Sequence, residues 1–130
     1  MAHPNIDLVR DGYAAFARRD LAALQDKFFA PNITWHYAGQ SQLGGRYQGI
    51  EQVLGWLCRS VALCDGTLTI DLHDVVGNDT HVIAIAVMRA KRNGRVLHDL
   101  SVQSFHLAEG KATEVWTLPG NQYYSDEFWS

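Results

Sequence analysis

The sequence predicts an α+β fold, a long antiparallel meander with one face covered by helical segments that precede it. Three observations carry this. Residues 67–76, 81–92, 95–107 and 111–118 read as four consecutive strands. Short turn signals, Gly77-Asn78-Asp79, Asn93-Gly94 and Glu109-Gly110, separate them, so neighbours must run antiparallel. Everything before Gly66 reads as mostly helical cover, which gives the order α-α-β-α-β-β-β-β. A meander of this length is expected to twist and curve strongly.

The first helix is expected to begin at an Asn5 cap, with Ile6, Val9, Tyr13 and Phe16 as its apolar stripe and Arg18 and Arg19 at its C-terminal end. Asp20 reads as the cap of a second helix running from residue 21 to about 29 and ended by Pro31. Residues 33–37 form a short β-type run, and residues 38–49 a loop long enough to suggest function. A third helix covers residues 50–63, burying Val53, Leu54, Trp56, Leu57 and Val61. The tail, residues 121–130, carries Tyr123, Tyr124, Phe128 and Trp129. So many rings argue that it packs on something, either its own body or a partner subunit.

The chain has 130 residues, 47% of them hydrophobic and 19% charged, which suits one globular domain over residues 1–130. A net charge of −3 with acids and bases interspersed gives no electrostatic case for nucleic acid or an anionic membrane. No apolar run is long enough to span a bilayer, and the first residues show no signal-peptide pattern. Cys58 and Cys64 are expected as reduced thiols, so the expected location is cytoplasmic.

The Asn93-Gly94 turn sets the register of the central hairpin. Pairing Arg92 with Arg95 puts Met88 opposite Asp99, Ala86 opposite Ser101 and Ala84 opposite Gln103. One face then carries Val82, Ala84, Ala86, Met88, Asp99, Ser101, Gln103 and Phe105; the other carries Ile83, Ile85, Val87, Leu100 and Val102. Small and polar side chains side by side suit a ligand pocket, whereas the aliphatic face suits dry packing or a dimer interface. For the last strand two registers stay open: a three-residue loop puts Val115 opposite Gln103, a two-residue loop puts Trp116 there.

Several local motifs follow one another in a familiar order: Gly12-Tyr13-Ala14-Ala15-Phe16, Arg19-Asp20-Leu21-Ala22-Ala23-Leu24, Phe29-Ala30-Pro31-Asn32-Ile33-Thr34-Trp35, Gly45-Arg46-Tyr47-Gln48-Gly49 and Phe105-His106-Leu107-Ala108-Glu109-Gly110-Lys111. In this the chain resembles the nuclear transport factor 2-like superfamily, in its SnoaL-like branch, relatives of ketosteroid isomerases and polyketide cyclases. The resemblance implies a cystatin-like cone in which the curved sheet wraps a helix around an internal pocket. It also implies a homodimer formed through the outer sheet face, and a small apolar or polyketide-like ligand. The aspartate base of the ketosteroid isomerases falls at about Tyr37, their helix tyrosine nearest Gly12 beside Tyr13, and their protonated acid on Gln103. The isomerase mechanism itself is therefore not expected, though Gln103 can donate a hydrogen bond while neutral.

The functional expectation is acid/base chemistry without a cofactor, of isomerase, cyclase or hydratase type, on a small apolar carbonyl compound. The alternative is a non-catalytic ligand-binding or accessory protein of the same fold. Asp99 and His73 are the candidate proton carriers. His73 falls in the Gln103 row if Val76 pairs with His81; Gln103 and Tyr37 would hold a developing oxyanion. Tyr13, Phe16, Trp35, Trp56, Ala84, Ala86, Met88, Ser101 and Phe105 are the candidate ligand-binding residues. His36 should point away from the pocket by alternation with Trp35 and Tyr37. No metal-ligand spacing, phosphate-binding glycine loop or nucleophile elbow occurs, so no metal site is expected.

Overall fold

The computed structural model describes residues 3–130; Met1 and Ala2, the start of the stretch read for a leader, lie outside the described residues. Helix α1 spans Pro4–Ala17, and a single α-helical turn, α2, spans Leu21–Ala23 and continues as a π-helical turn, Leu24–Phe28. Strands β1, Phe29–Tyr37, and β2, Gly45–Gln48, precede helix α3, Ile50–Leu63. The meander follows as β3 Thr69–Gly77, β4 His81–Arg92, β5 Arg95–Ala108 and β6 Lys111–Leu118, and helix α4, Gln122–Trp129, comes last. The six strands form one curved sheet in the order β2-β1-β6-β5-β4-β3, with helices packed on it, which is the expected α+β class.

Four elements differ from the sequence reading, each for a local reason. His3, not Asn5, caps α1: its Nδ1 accepts the Asn5 N–H at 3.1 Å, and Pro4 takes the first helical position, where no N–H is needed. Asn5 instead donates to the Asn78 and Asp79 carbonyls, tying the helix start to the β3–β4 turn. Pro31 does not end a helix. It lies within β1, where the ladder to β6 is interrupted between Phe29 and Thr34, so its missing N–H breaks no regular pairing. The expected loop condenses partly into β2, which pairs with β1 through Trp35 and Tyr47. The sheet is also not wholly antiparallel, because β6 returns beside β1 and runs parallel to it. The intervening chain supplies the long crossover that such a pair needs.

The central hairpin has the expected register: Arg92 pairs with Arg95, Met88 with Asp99, Ala86 with Ser101 and Ala84 with Gln103. Asn93 and Gly94 both have positive φ, as a two-residue hairpin turn requires. The inner-face residues from Val82 to Phe105 are buried, and those of the outer face are half-buried or exposed. Two bulges move the flanking strands. The β3–β4 turn pairs Gly77 with Val82 rather than Val76 with His81, so Val75 takes the place beside Ala84 expected for His73; beyond it Asp74 pairs with Ile85 and Leu72 with Ala86, which leaves His73 as the extra residue of a bulge. In β6 a two-residue Glu109-Gly110 turn is followed by a bulge at Thr113, so Gln103 faces Thr117 rather than Val115 or Trp116.

The aromatic tail packs on its own body. Asn121 caps α4 by accepting the Tyr124 N–H at 3.1 Å, and Phe128 and Trp129 enter the core. Arg92 holds the far end through the Phe128 carbonyl at 3.2 Å, while Gln42 donates to the Trp129 carbonyl at 2.8 Å. Tyr123 alone of the tail rings stays out, 90% exposed. No helix among the described residues is long and apolar enough to cross a membrane.

Candidate functional site

A hollow of about 60 Å³ lies between the inner sheet face, α1, α3 and the end of α4. Its wall is almost wholly apolar. Phe28 and Phe105 lie 5.7 Å apart between ring centres, Trp35 and Trp56 5.2 Å, and Tyr37 and Trp56 5.5 Å. Leu43, Leu57 and Met88 fill between them. Leu43 is drawn inward from the long loop because its carbonyl accepts both the Tyr47 hydroxyl at 2.8 Å and the Trp56 indole N–H at 3.2 Å. Gly12 faces this region from α1; a Cβ there would stand 2.6 Å from the Phe28 ring, so glycine permits the close approach of helix and ring.

One chain of neutral polar groups crosses the apolar interior. The Tyr13 hydroxyl donates to the Gln103 side-chain carbonyl, the Gln103 amide donates to Thr117 Oγ1 at 2.8 Å, and the Trp35 indole donates to the same oxygen at 2.9 Å. Gln103 is 4% exposed and Thr117 1%. Burial pushes the Tyr13 phenol well above its ordinary range, so it stays protonated and a donor. Tyr37 is also raised, chiefly by burial, with the Asp99 and Asp126 charges adding to the shift and Ser125 and Trp129 opposing it. Its hydroxyl lies 3.3 Å from Ser125 Oγ on α4.

Of the expected ligand-binding residues, Tyr13, Phe16, Trp35, Trp56, Met88 and Phe105 line the hollow. Ala84, Ala86 and Ser101 are buried on the same sheet face but are not among the residues that line it. Among the expected catalytic residues, Gln103 and Tyr37 are in the wall. Asp99 is buried on the inner face but outside the wall, where its carboxylate accepts the Gly120 N–H at 3.2 Å. His73 is the clear departure: the β3 bulge leaves it exposed and away from the hollow. His36 points outward as alternation requires, stacking on Trp116 at 4.9 Å with Nε2 2.7 Å from Glu114. Sequence reasoning missed Thr117, hidden by the β6 bulge, and Trp129, flagged only as part of an aromatic tail. Among the described residues no three His, Cys, Asp or Glu side chains gather as a metal site would need.

This geometry, a curved sheet closing over a helix-roofed apolar hollow, is the class of fold that the resemblance implies. The chain belongs to the SnoaL-like domain family, which matches residues 9–115. An uncharacterised protein of Mycobacterium tuberculosis is 36% identical over 127 residues, covering 97% of this chain and 96% of that relative. Among solved structures, Bal32a from a soil-derived mobile gene cassette superposes with a TM-score of 0.94 at 30% identity, covering 98% of this chain and 97% of that one. A protein of unknown function with a cystatin-like fold from Xanthomonas campestris gives 0.91 at 25% identity, covering 97% and 98%.

The raised tyrosines set an alkaline limit. Native Tyr13 holds its proton more tightly than in the unfolded chain, whose ordinary value is 10.0. Stability is therefore unaffected by this group below about pH 10 and falls as pH rises beyond it. Urea midpoints measured from pH 8 to 11 should fall above pH 10 in the wild type, and less steeply in Tyr13→Phe. Equal slopes would contradict the buried-phenol assignment.

Proposed function

We propose that this protein binds a small, neutral, largely apolar molecule, of carbonyl or polyketide-like type, inside the cone. The observation that carries this is the hollow itself: rings and aliphatic side chains around a single neutral hydrogen-bonded chain from Tyr13 to Trp35. Apolar walls with few polar groups are how small-molecule sites are built. No carboxylate or imidazole is among the lining residues, and His73 is remote, so binding is better supported than acid/base turnover. Asp99 lies outside the wall, and its carboxylate is engaged by the Gly120 N–H.

The reading includes a homodimer through the outer sheet face. Leu100 and Leu118 are 52% and 47% exposed there, beside Ile83, Ile85 and Val102, an aliphatic surface that a second copy would cover. Sedimentation should give twice the chain mass, and Leu100→Glu should reduce it to one; a wild-type monomer at high concentration would remove the dimer.

Ethylbenzene, larger than the hollow of about 60 Å³, probes whether the apolar walls part to admit a ligand. Titrated into the labelled protein and followed by NMR, it should shift Leu57, Met88 and Phe105 saturably and leave outer-face residues such as Leu100 unmoved. An absence of saturable shifts in the hollow would count against the binding reading.

A further inference from the structure

One buried donor is left without a partner by the fold. The Trp129 indole Nε1 is sealed from solvent and, among the described residues, is the buried side-chain polar atom that makes no hydrogen bond. Its ring lines the hollow and is 2% exposed. The polar groups elsewhere in the wall are paired: Gln103 with Tyr13 and Thr117, Trp35 with Thr117, Trp56 with the Leu43 carbonyl, and Ser60 with the Leu57 carbonyl. Buried polar groups are almost always satisfied, and an orphaned donor costs free energy that a matching acceptor would restore.

The orphan is not a frayed end. Gln42 binds the Trp129 carbonyl at 2.8 Å, Arg92 binds the Phe128 and Ser130 carbonyls at 3.2 and 2.6 Å, and the ring meets Phe128 edge-on at 4.8 Å. The indole lies near enough to the Tyr37 hydroxyl to favour its ionisation, yet makes no hydrogen bond of good geometry with it. Tyr37 shares one contact with Ser125 at 3.3 Å, in which either hydroxyl can donate. When Ser125 donates, the Tyr37 hydrogen is free, and the neighbouring side chains of Tyr37 and Trp129, both in the wall of the hollow, each hold a donor without an acceptor.

We propose that Trp129 determines ligand specificity: its N–H, assisted by the Tyr37 hydroxyl, receives the carbonyl oxygen of a ketone, aldehyde or quinone whose apolar body lies against Trp56, Leu57 and Phe105. An indole nitrogen donates only, so the ligand must bring the acceptor. A site built around such a donor rejects the shape-matched hydrocarbon, which would leave the N–H orphaned. This inference rests on the binding reading above and adds to it the functional group that is recognised.

The test compares acetophenone with ethylbenzene, alike in shape but with and without the carbonyl, on the full chain and on Trp129→Phe. The four tryptophans give four indole N–H signals, and the one lost in Trp129→Phe belongs to Trp129. Acetophenone should bind the wild type about tenfold more tightly than ethylbenzene, the scale of one good hydrogen bond. It should also move the Trp129 indole proton downfield. In Trp129→Phe the preference, read as the ratio of the two affinities, should shrink to within about twofold. A preference that survives the substitution overturns the proposal, as does an indole proton unmoved at saturating acetophenone. Equal affinity of the two probes for the wild type overturns the role of Trp129 alone, whereas failure of both to bind overturns the binding reading with it. If Trp129→Phe does not fold, the wild-type affinity ratio and indole shift decide the matter.

Discussion

The interior depends on one side chain, the Gln103 amide. Its carbonyl end receives Tyr13 from α1, its nitrogen reaches Thr117 on β6, and Thr117 in turn receives Trp35 from β1. A polar group 4% exposed in an aromatic core is costly unless paired, and this one is paired at both ends. Because every member is neutral, the chain carries no charge-desolvation cost. It fixes how α1 sits on the sheet, with Gly12 against Phe28, and holds the rings around the hollow instead of letting them collapse into it.

Around that chain the molecule has two unlike sheet faces. Inside, alternation puts alanine, glutamine and phenylalanine from β4 and β5 under the helices. Outside, aliphatic side chains and the His36–Trp116 stack face away from the hollow. The loop from residue 38 to 44 and α4 close the end of the cone together, since Gln40 and Gln42 bind Asp126 and Trp129 at 3.0 and 2.8 Å. The tail is thus part of the wall of the hollow, which ties a feature first read as packing on the body or on a partner subunit to the interior.

How much of this was legible in the sequence follows from where local rules suffice. The Asn93-Gly94 turn allows one register, so the inner face from Val82 to Phe105 could be counted residue by residue, and the burial of Gln103 followed. The count failed at the β3–β4 turn, where Gly77 pairs with Val82 in place of the assumed Val76 with His81, and wherever a bulge intervened. The extra residue in β3 expelled His73, and the one at Thr113 put Thr117 beside Gln103, because a bulge leaves no mark in the alternation on either side of it. Pro31 misled because proline can end a helix or sit at a ladder break, and only the partner strand decides which. Trp129 could be seen as a ring needing cover, but its contacts with Gln42 and Tyr37 join parts of the chain about ninety residues apart, beyond any local pattern.

The most direct measurement of the central claim is hydrogen exchange at the Gln103 side-chain amide and the Trp35 indole, followed by NMR after transfer to deuterated buffer. If the chain from Tyr13 to Trp35 holds the interior, the Gln103 proton bonded to Thr117 and the Trp35 indole proton should exchange slowly and at a common rate, that of global unfolding. A Gln103 amide exchanging as fast as a free side chain, while the Trp35 indole stays protected, would contradict the account.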